Sequence, residues 1–259
     1  MYQRDESGYG SADSMTDVNP PSPNFSRINR DAVRFQEEFE VTDLLMNSAN
    51  GVLYNGRCLL SGNDVIFKQL PRANVPNWAY LDGDLVPAEI ATHFRTFKIS
   101  QEAGVICKPI AWLEKRSSFV IVLEKLGGKN CCDLFELSRK YGALAEDPTK
   151  IIFSQIIDMW RALNNAKICH RDLKDENIII NLENLECRLI DFGCAIELSE
   201  KPQKSFAGTP EFYPPEWFKM GSYTHHNLTA WSLGIILFIL LTGQMPMQIQ
   251  KNLIDFDNQ

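Results

Sequence analysis

Short β-rich apolar runs separated by turn signals fill the chain from about Phe39 to Leu123, and a helical period replaces them in the second half. Val52-Leu53-Tyr54, Val65-Ile66-Phe67 and Phe119 to Leu123 are β-branched and aromatic and read as strands. Asn55-Gly56 and Ser61-Gly62-Asn63-Asp64 punctuate them as turns. One helix is predicted in this half, from Pro87 to Lys98, with proline suited to a first turn. Further on, Asp147-Pro148-Thr149 opens an amphipathic segment through Ala166, with Ile152, Ile156, Met159 and Leu163 on one face. Ile178-Ile179-Ile180 and Cys187 to Ile190 predict two short strands around a turn at Asn181 to Leu185. Thr229 to Leu241 is apolar on every side, which predicts a buried helix.

This order gives an α+β architecture of two lobes: a small β-rich N-lobe over 39–123, a hinge over 124–130 and a helical C-lobe over 131–259. Residues 1–38 are rich in Ser, Asp, Asn and Pro and too poor in apolar surface to offset their ordering entropy, so a disordered tail is expected.

Composition narrows the function classes. An apolar fraction of 44% in 259 residues supports a sizeable core. The net charge of −7 argues against a nucleic-acid coat and fits soluble metabolites or basic peptides. Seven cysteines without a paired framework predict reduced thiols and a cytoplasmic or nuclear setting. Cys131-Cys132 read as spacers, Cys194 as a small buried residue, and His225-His226 as surface. Met1 to Gly10 has no apolar stretch, so no signal peptide is expected. The longest apolar run, Leu233 to Leu241, is half of the roughly 20 residues that span a bilayer, so no membrane is expected. A monomer is the default.

The chemistry concentrates in His170-Arg171-Asp172-Leu173-Lys174-Asp175-Glu176-Asn177, followed by two strands and Asp191-Phe192-Gly193. A carboxylate can meet an attacking hydroxyl while an amide and a second carboxylate hold divalent metal on phosphate from another angle, and phosphoryl transfer depends mostly on such positioning. With these motifs the chain resembles the eukaryotic protein kinases, on the Ser/Thr side because of Lys174. The resemblance implies Asp172 as catalytic base, Lys174 on the transferring phosphate, Asn177 and Asp191 as metal ligands, and Lys68 on the nucleotide phosphates with Glu89 as its partner. It implies ATP and Mg²⁺ as cofactors, in a cleft including Gly51, Leu53, Ile66, Lys68, Leu123, Glu124, Ile179, Asn177 and Asp191. Val75-Pro76-Asn77-Trp78, Asp133-Leu134-Phe135 and Trp231-Ser232-Leu233-Gly234 are similar to the Pim-like branch. That branch implies basic, arginine-rich substrates, read here by Asp133, Asp175, Glu176 and Glu136, with Thr209 buttressing the base. Ser205 lies where an activating phosphate would sit opposite Arg171, but an unmodified loop serine is the favoured reading, since the branch is typically active without that phosphate.

Departures from the pattern keep a second reading open, that of a pseudokinase or interaction module with weak nucleotide binding. Met46-Asn47-Ser48-Ala49-Asn50-Gly51 keeps only the last glycine of a phosphate-covering loop. Ile66 replaces a small residue facing the adenine, a crowding that costs typically about 1–3 kcal/mol. His93 stands where the family has an apolar side chain, and an unpaired imidazole there would loosen the helix carrying Glu89. The chain stops at Gln259, soon after its apolar helix, and leaves Glu216 without the arginine that resemblance would pair with it. Three explanations stay open: a marginal lobe, a covering partner, or a fragment.

Overall fold

The computed structural model describes residues 33–48, 51–127 and 130–246. The calls on 1–32 and 247–259 lie outside these described residues. The expected tail reached residue 38, but residues 33–38 form a helix, α1, because Phe35 packs on Phe39 and Phe67 with ring centroids 5.0 and 6.0 Å away.

Five antiparallel strands make the N-lobe sheet, in the order β1 (Phe39–Ser48), β2 (Gly51–Cys58), β3 (Asp64–Pro71), β7 (Ser118–Glu124) and β6 (Pro109–Glu114). Between β3 and β6 lie a hairpin, β4 (Trp78–Leu81) with β5 (Asp84–Pro87), and helix α2 (Ala88–Ile99). Asn55-Gly56 is not the expected turn; it continues β2. Gly56 pairs with Val65, and any side chain there would collide with the Phe67 ring and the Glu40 carbonyl, so glycine serves close packing. The turn falls instead at Leu59 to Asn63. Met46, Asn47 and Ser48, expected in a loop, prolong β1 and pair with Leu53, Val52 and Gly51.

Helix α2 buries polar residues without leaving them unsatisfied. The hydroxyls of Thr92, Thr96 and Ser100 donate to the carbonyls of Ala88, Thr92 and Thr96, each at 2.8 Å. Its apolar side, Ile90 and Ala91, joins Leu70, Val86, Phe119 and Ile121 in the core beneath the sheet.

The C-lobe is built on α4 (Glu146–Asn165) and α6 (His225–Thr242), with α3 (Leu134–Tyr141) and α5 (Pro215–Met220) outside them. Ile152, Ile156, Met159, Ile236 and Ile239 meet in one large core, which also takes Phe192 and Leu189. Two small sheets carry the functional loops: β8 (Cys131–Asp133) with β10 (Ile178–Asn181) and β11 (Cys187–Leu189), and β9 (Ile168–Cys169) with β12 (Ile196–Glu197).

Two expectations for this lobe are corrected. Helix α6 is longer than its apolar run and is not buried all round: Trp231 is 41% and Leu241 44% exposed. At 18 residues it is long and apolar enough to cross a bilayer by length and composition alone, yet its Ile235, Ile236, Ile239 and Leu240 belong to the core. His225 is not at the surface; it is 1% exposed, and its Nδ1 accepts from the Ser199 amide at 3.0 Å. Glu216 is half-buried in the first turn of α5, where a helix N-terminus favours negative charge. Among the described residues all seven cysteines are free, and Cys194 is half-buried.

Candidate active site

The β2–β3 roof, the end of β7, helix α2 and the β10 floor enclose a cleft of about 530 Å³, within the ~300–1,000 Å³ usual for a small-molecule site. Gly51, Leu53, Ile66, Lys68, Leu123, Glu124, Ile179 and Asp191 line it, with Glu89 beside them; Asn177, expected in the cleft, is not in its lining, because its side chain is turned to Asp172. Leu45 and Met46 also reach it from β1, although β1 carried no readable strand pattern. Ile66 does not close the cleft; it packs partly on the core that includes Leu70 and Leu123.

At the inner end, Lys68 is 6% exposed and its ammonium lies between two carboxylates. It is 2.6 Å from Glu89 Oε1 and 2.7 Å from Asp191 Oδ1. Burial disfavours the lysine charge, but the two carboxylates outweigh it and raise the pKa above the ordinary lysine value. Burial likewise pushes Asp191 up, yet Lys68 and the Gly193 amide, 3.0 Å from Oδ1, hold it at about 2. For Glu89, burial outweighs the lysine and raises the carboxyl. Asp191 adopts φ 59°, a left-handed backbone that non-glycine residues keep only where surroundings hold it.

Asp172 opens on an adjoining hollow of about 120 Å³ shared with Glu89, Asp191 and Cys194. Its Oδ1 accepts from the Thr209 hydroxyl at 2.8 Å, and Thr209 accepts from Lys174 Nζ at 3.0 Å. Asn177 Nδ2 donates to the Asp172 carbonyl at 2.8 Å and to Oδ2 at 3.2 Å, which leaves its own Oδ1 as an available acceptor. Gly208 makes this contact possible. A Cβ there would stand 2.5 Å from the Arg171 carbonyl and 2.9 Å from Asp172 Oδ1, at φ +92°. Its requirement was not readable from spacing.

The donor set suits a hard divalent cation: one carboxylate, Asp191, and one amide oxygen, Asn177. Among the described residues no group of three His, Cys, Asp or Glu gathers as a metal site. Mg²⁺ is usually held through one or two carboxylates with phosphate oxygens completing the shell.

The acidic substrate candidates divide between two surfaces. Asp133 faces the main cleft and caps α3, accepting from the Glu136 amide at 2.7 Å; Glu136 lies beside it. Asp175, Glu176 and Thr209 face a second concavity of about 700 Å³, joined by Glu211, which the motifs did not single out. Asp175 is 4% exposed, and burial with the Glu176 charge pushes it up to about 6. Glu176 is held 2.6 Å from Lys174 Nζ. Arg171 is buried and donates to the Cys194 carbonyl at 2.7 Å, whereas Ser205 is exposed.

His93 overturns its expectation. Its ring is buried, but Nε2 lies 2.7 Å from the Cys107 carbonyl, and its face stacks on Phe192 at 4.3 Å and 13°. The imidazole is paired, so it does not loosen α2.

Comparison with known proteins agrees with this geometry. The protein kinase domain family matches residues 47–259. Serine/threonine-protein kinase prk-2 of Caenorhabditis elegans is 33% identical over 220 residues, which are 85% of this chain and 48% of that protein. Serine/threonine-protein kinase pim-2 of Danio rerio is 30% identical over 227 residues, 85% of this chain and 72% of that protein. The rat serine/threonine-protein kinase D2 is 28% identical over 218 residues, 82% of this chain and 23% of that protein. The chain thus spans about half the length of the first of these relatives. A matched domain, an α+β fold of two lobes and a lysine held between two carboxylates agree: this chain belongs to the protein kinase family.

Proposed function

We propose that the chain transfers the γ-phosphate of ATP to serine or threonine hydroxyls, with basic, arginine-rich peptides as preferred substrates. The observation that carries the reading is Lys68 placed between Glu89 and Asp191, with Asp172 on an adjoining hollow. In this reading Lys68 binds the nucleotide phosphates and Glu89 keeps the lysine in place. Asp191 and Asn177 hold Mg²⁺, which supplies neutralisation of phosphate charge when bound. Asp172 orients the substrate hydroxyl and receives its proton, while Lys174 faces the phosphate being transferred and Thr209 fixes Asp172.

The degenerate roof favours a pseudokinase with weak nucleotide binding, and one experiment separates the two. Mg-ATP should raise the melting temperature of the full chain, and phosphate should pass to an arginine-rich peptide. Neither stabilisation nor activity above an Asp172→Asn control would leave the interaction module as the surviving reading.

The substrate preference has its own test. Asp133 and Glu136 line the main cleft, and Glu176 and Glu211 line the second concavity with Asp175 buried among them. Rim charges steer and select partners through complementary potential. The double reversal Glu136→Lys with Glu211→Lys, both exposed, should raise KM for arginine-rich peptides roughly tenfold or more while moving that of neutral peptides less than about threefold. Similar changes for both peptide classes would remove the preference for basic substrates.

A further inference from the structure

We propose that Ser117 is a phosphorylation site and that Arg72, opposite it at the end of the N-lobe ladder, holds the phosphate. The donor is a second copy of this chain acting on Mg-ATP, and that part of the inference rests on the functional reading above. Lys115-Arg116-Ser117-Ser118 makes the turn between β6 and β7. Two cations directly precede the serines, which is the acceptor chemistry that a basic-directed kinase takes. Of the two hydroxyls only one is offered. Ser118 is 3% exposed and accepts from Gln69 Nε2 at 3.2 Å, whereas Ser117 is exposed.

The register of the sheet sets Arg72 against this serine. Strands β3 and β7 pair Leu70 with Phe119 and Pro71 with Ser118. One step further brings Arg72 opposite Ser117, and the Arg72 amide donates to the Ser117 carbonyl at 2.9 Å. Opposed residues of such a ladder carry their Cβ atoms about 4.5–5.5 Å apart, within reach of a long side chain and a phosphate ester.

The guanidinium is already held in place. Its carbon lies 4.6 Å from the Phe119 ring centroid and 5.5 Å from that of Trp78. Nη2 pairs with Glu114, but Nε is buried and has no hydrogen-bond partner among the described residues. An arginine fork satisfies two acceptors at once, and a phosphate on the opposite residue supplies the second. Charge points the same way. Arg72, Lys115 and Arg116 gather at this turn and strand end, with Glu114 as the carboxylate between them. A phosphoserine brings about −1.5 to −2 charge at neutral pH and offsets that excess.

In the transfer, Ser117 Oγ forms a bond to the γ-phosphorus while the bond from that phosphorus to the bridging oxygen of ADP breaks. The hydroxyl proton passes to Asp172 of the second copy, and ADP leaves. The phosphate then fastens the single turn Arg72–Asn74, which begins the link from β3 to α2, onto the β6–β7 turn.

The test has two arms, both on the full chain. In the first, isotope-labelled Asp172→Asn chain is mixed with wild-type chain and Mg-ATP, and mass spectrometry maps the labelled copy. Ser117 should carry phosphate, and Lys115→Ala with Arg116→Ala should slow its appearance about tenfold. Transfer to an arginine-rich peptide with none to Ser117 overturns the inference and leaves the functional reading standing. No transfer to either rejects the functional reading, and the second arm then decides the phosphate site by itself.

In the second arm, phosphoserine is built into position 117 during synthesis, so no kinase activity is needed. The phosphate should raise the melting temperature by about 2–4 °C in the wild-type background and by less than about 1 °C with Arg72→Gln. Phosphorus NMR should place its second ionisation below the ordinary value of about 6, returning there in Arg72→Gln, because a neighbouring cation favours the dianion. Arg72→Lys keeps the charge but not the fork and should fall between; it carries the comparison if the glutamine variant does not fold. Equal melting shifts in all backgrounds, or an ionisation unmoved by the Arg72 substitutions, overturn the inference.

Discussion

Asp172→Asn should lower kcat by about 10²–10⁴ while leaving the Mg-ATP-induced rise in melting temperature within a degree or two of wild type. The substitution is nearly isosteric and retains one acceptor for the Thr209 hydroxyl, now 2.8 Å from Oδ1. What it loses is the longer contact from Asn177 at 3.2 Å and, with it, the ability to take a proton. Lys68, Glu89 and Asp191 are untouched, so nucleotide affinity should not follow the rate. The measurement is steady-state phosphotransfer beside a thermal-shift titration. A rate within threefold of wild type would show that Asp172 receives no proton in the rate-limiting step. A matching loss of nucleotide affinity would show that it belongs to the ATP site instead.

Much of the architecture was readable because two periods differ along the chain. The core strand β7 and the helix α4 fall close to their predicted spans: β7 is buried on both faces and shows as a continuous apolar run, and α4 buries one face at helical spacing. The motif residues came with their spacing, and Asp172, Asn177, Lys174 and Thr209 converge as their order implied. Strand β1 escaped because all but its first residue are exposed, so no face alternates. Asn55-Gly56 misled for a different reason: the glycine accommodates Phe67 and does not turn the chain. Helix α3, with eight residues, is too short to declare a period.

The larger gap concerns buried polar groups. Sequence says which side chain is polar but not which carbonyl lies opposite it. His93 looked like an unpaired imidazole until Cys107, distant in the chain, supplied the acceptor. His225 likewise looked like surface until the Ser199 amide was found against its ring. Asp175 shows the reverse: the resemblance implies an acid open to substrate, and it is 4% exposed. Burial of this kind is a tertiary property, decided by loops whose paths carry no period.

Lys68→Met should abolish measurable phosphotransfer and lower stability by about 3–5 kcal/mol, because it leaves two carboxylates in a largely buried site without their cation. Glu89 and Asp191 side chains are only 12% and 32% exposed, so water cannot replace the ammonium fully. For a domain of this size each kcal/mol corresponds to about 2–4 °C of melting temperature, a shift calorimetry reads easily. The informative step is a second substitution. Glu89→Gln in the Lys68→Met background removes one of the stranded charges and should restore most of the lost stability, yet no activity should return. Stability and function then separate at one site, since folding needs only the charges balanced whereas catalysis needs a cation facing the phosphates. If the double variant stays as unstable as the single one, burial of charge is not what Lys68 relieves. If it regains phosphotransfer, the lysine does not bind nucleotide phosphate, and the catalytic arrangement built around it fails.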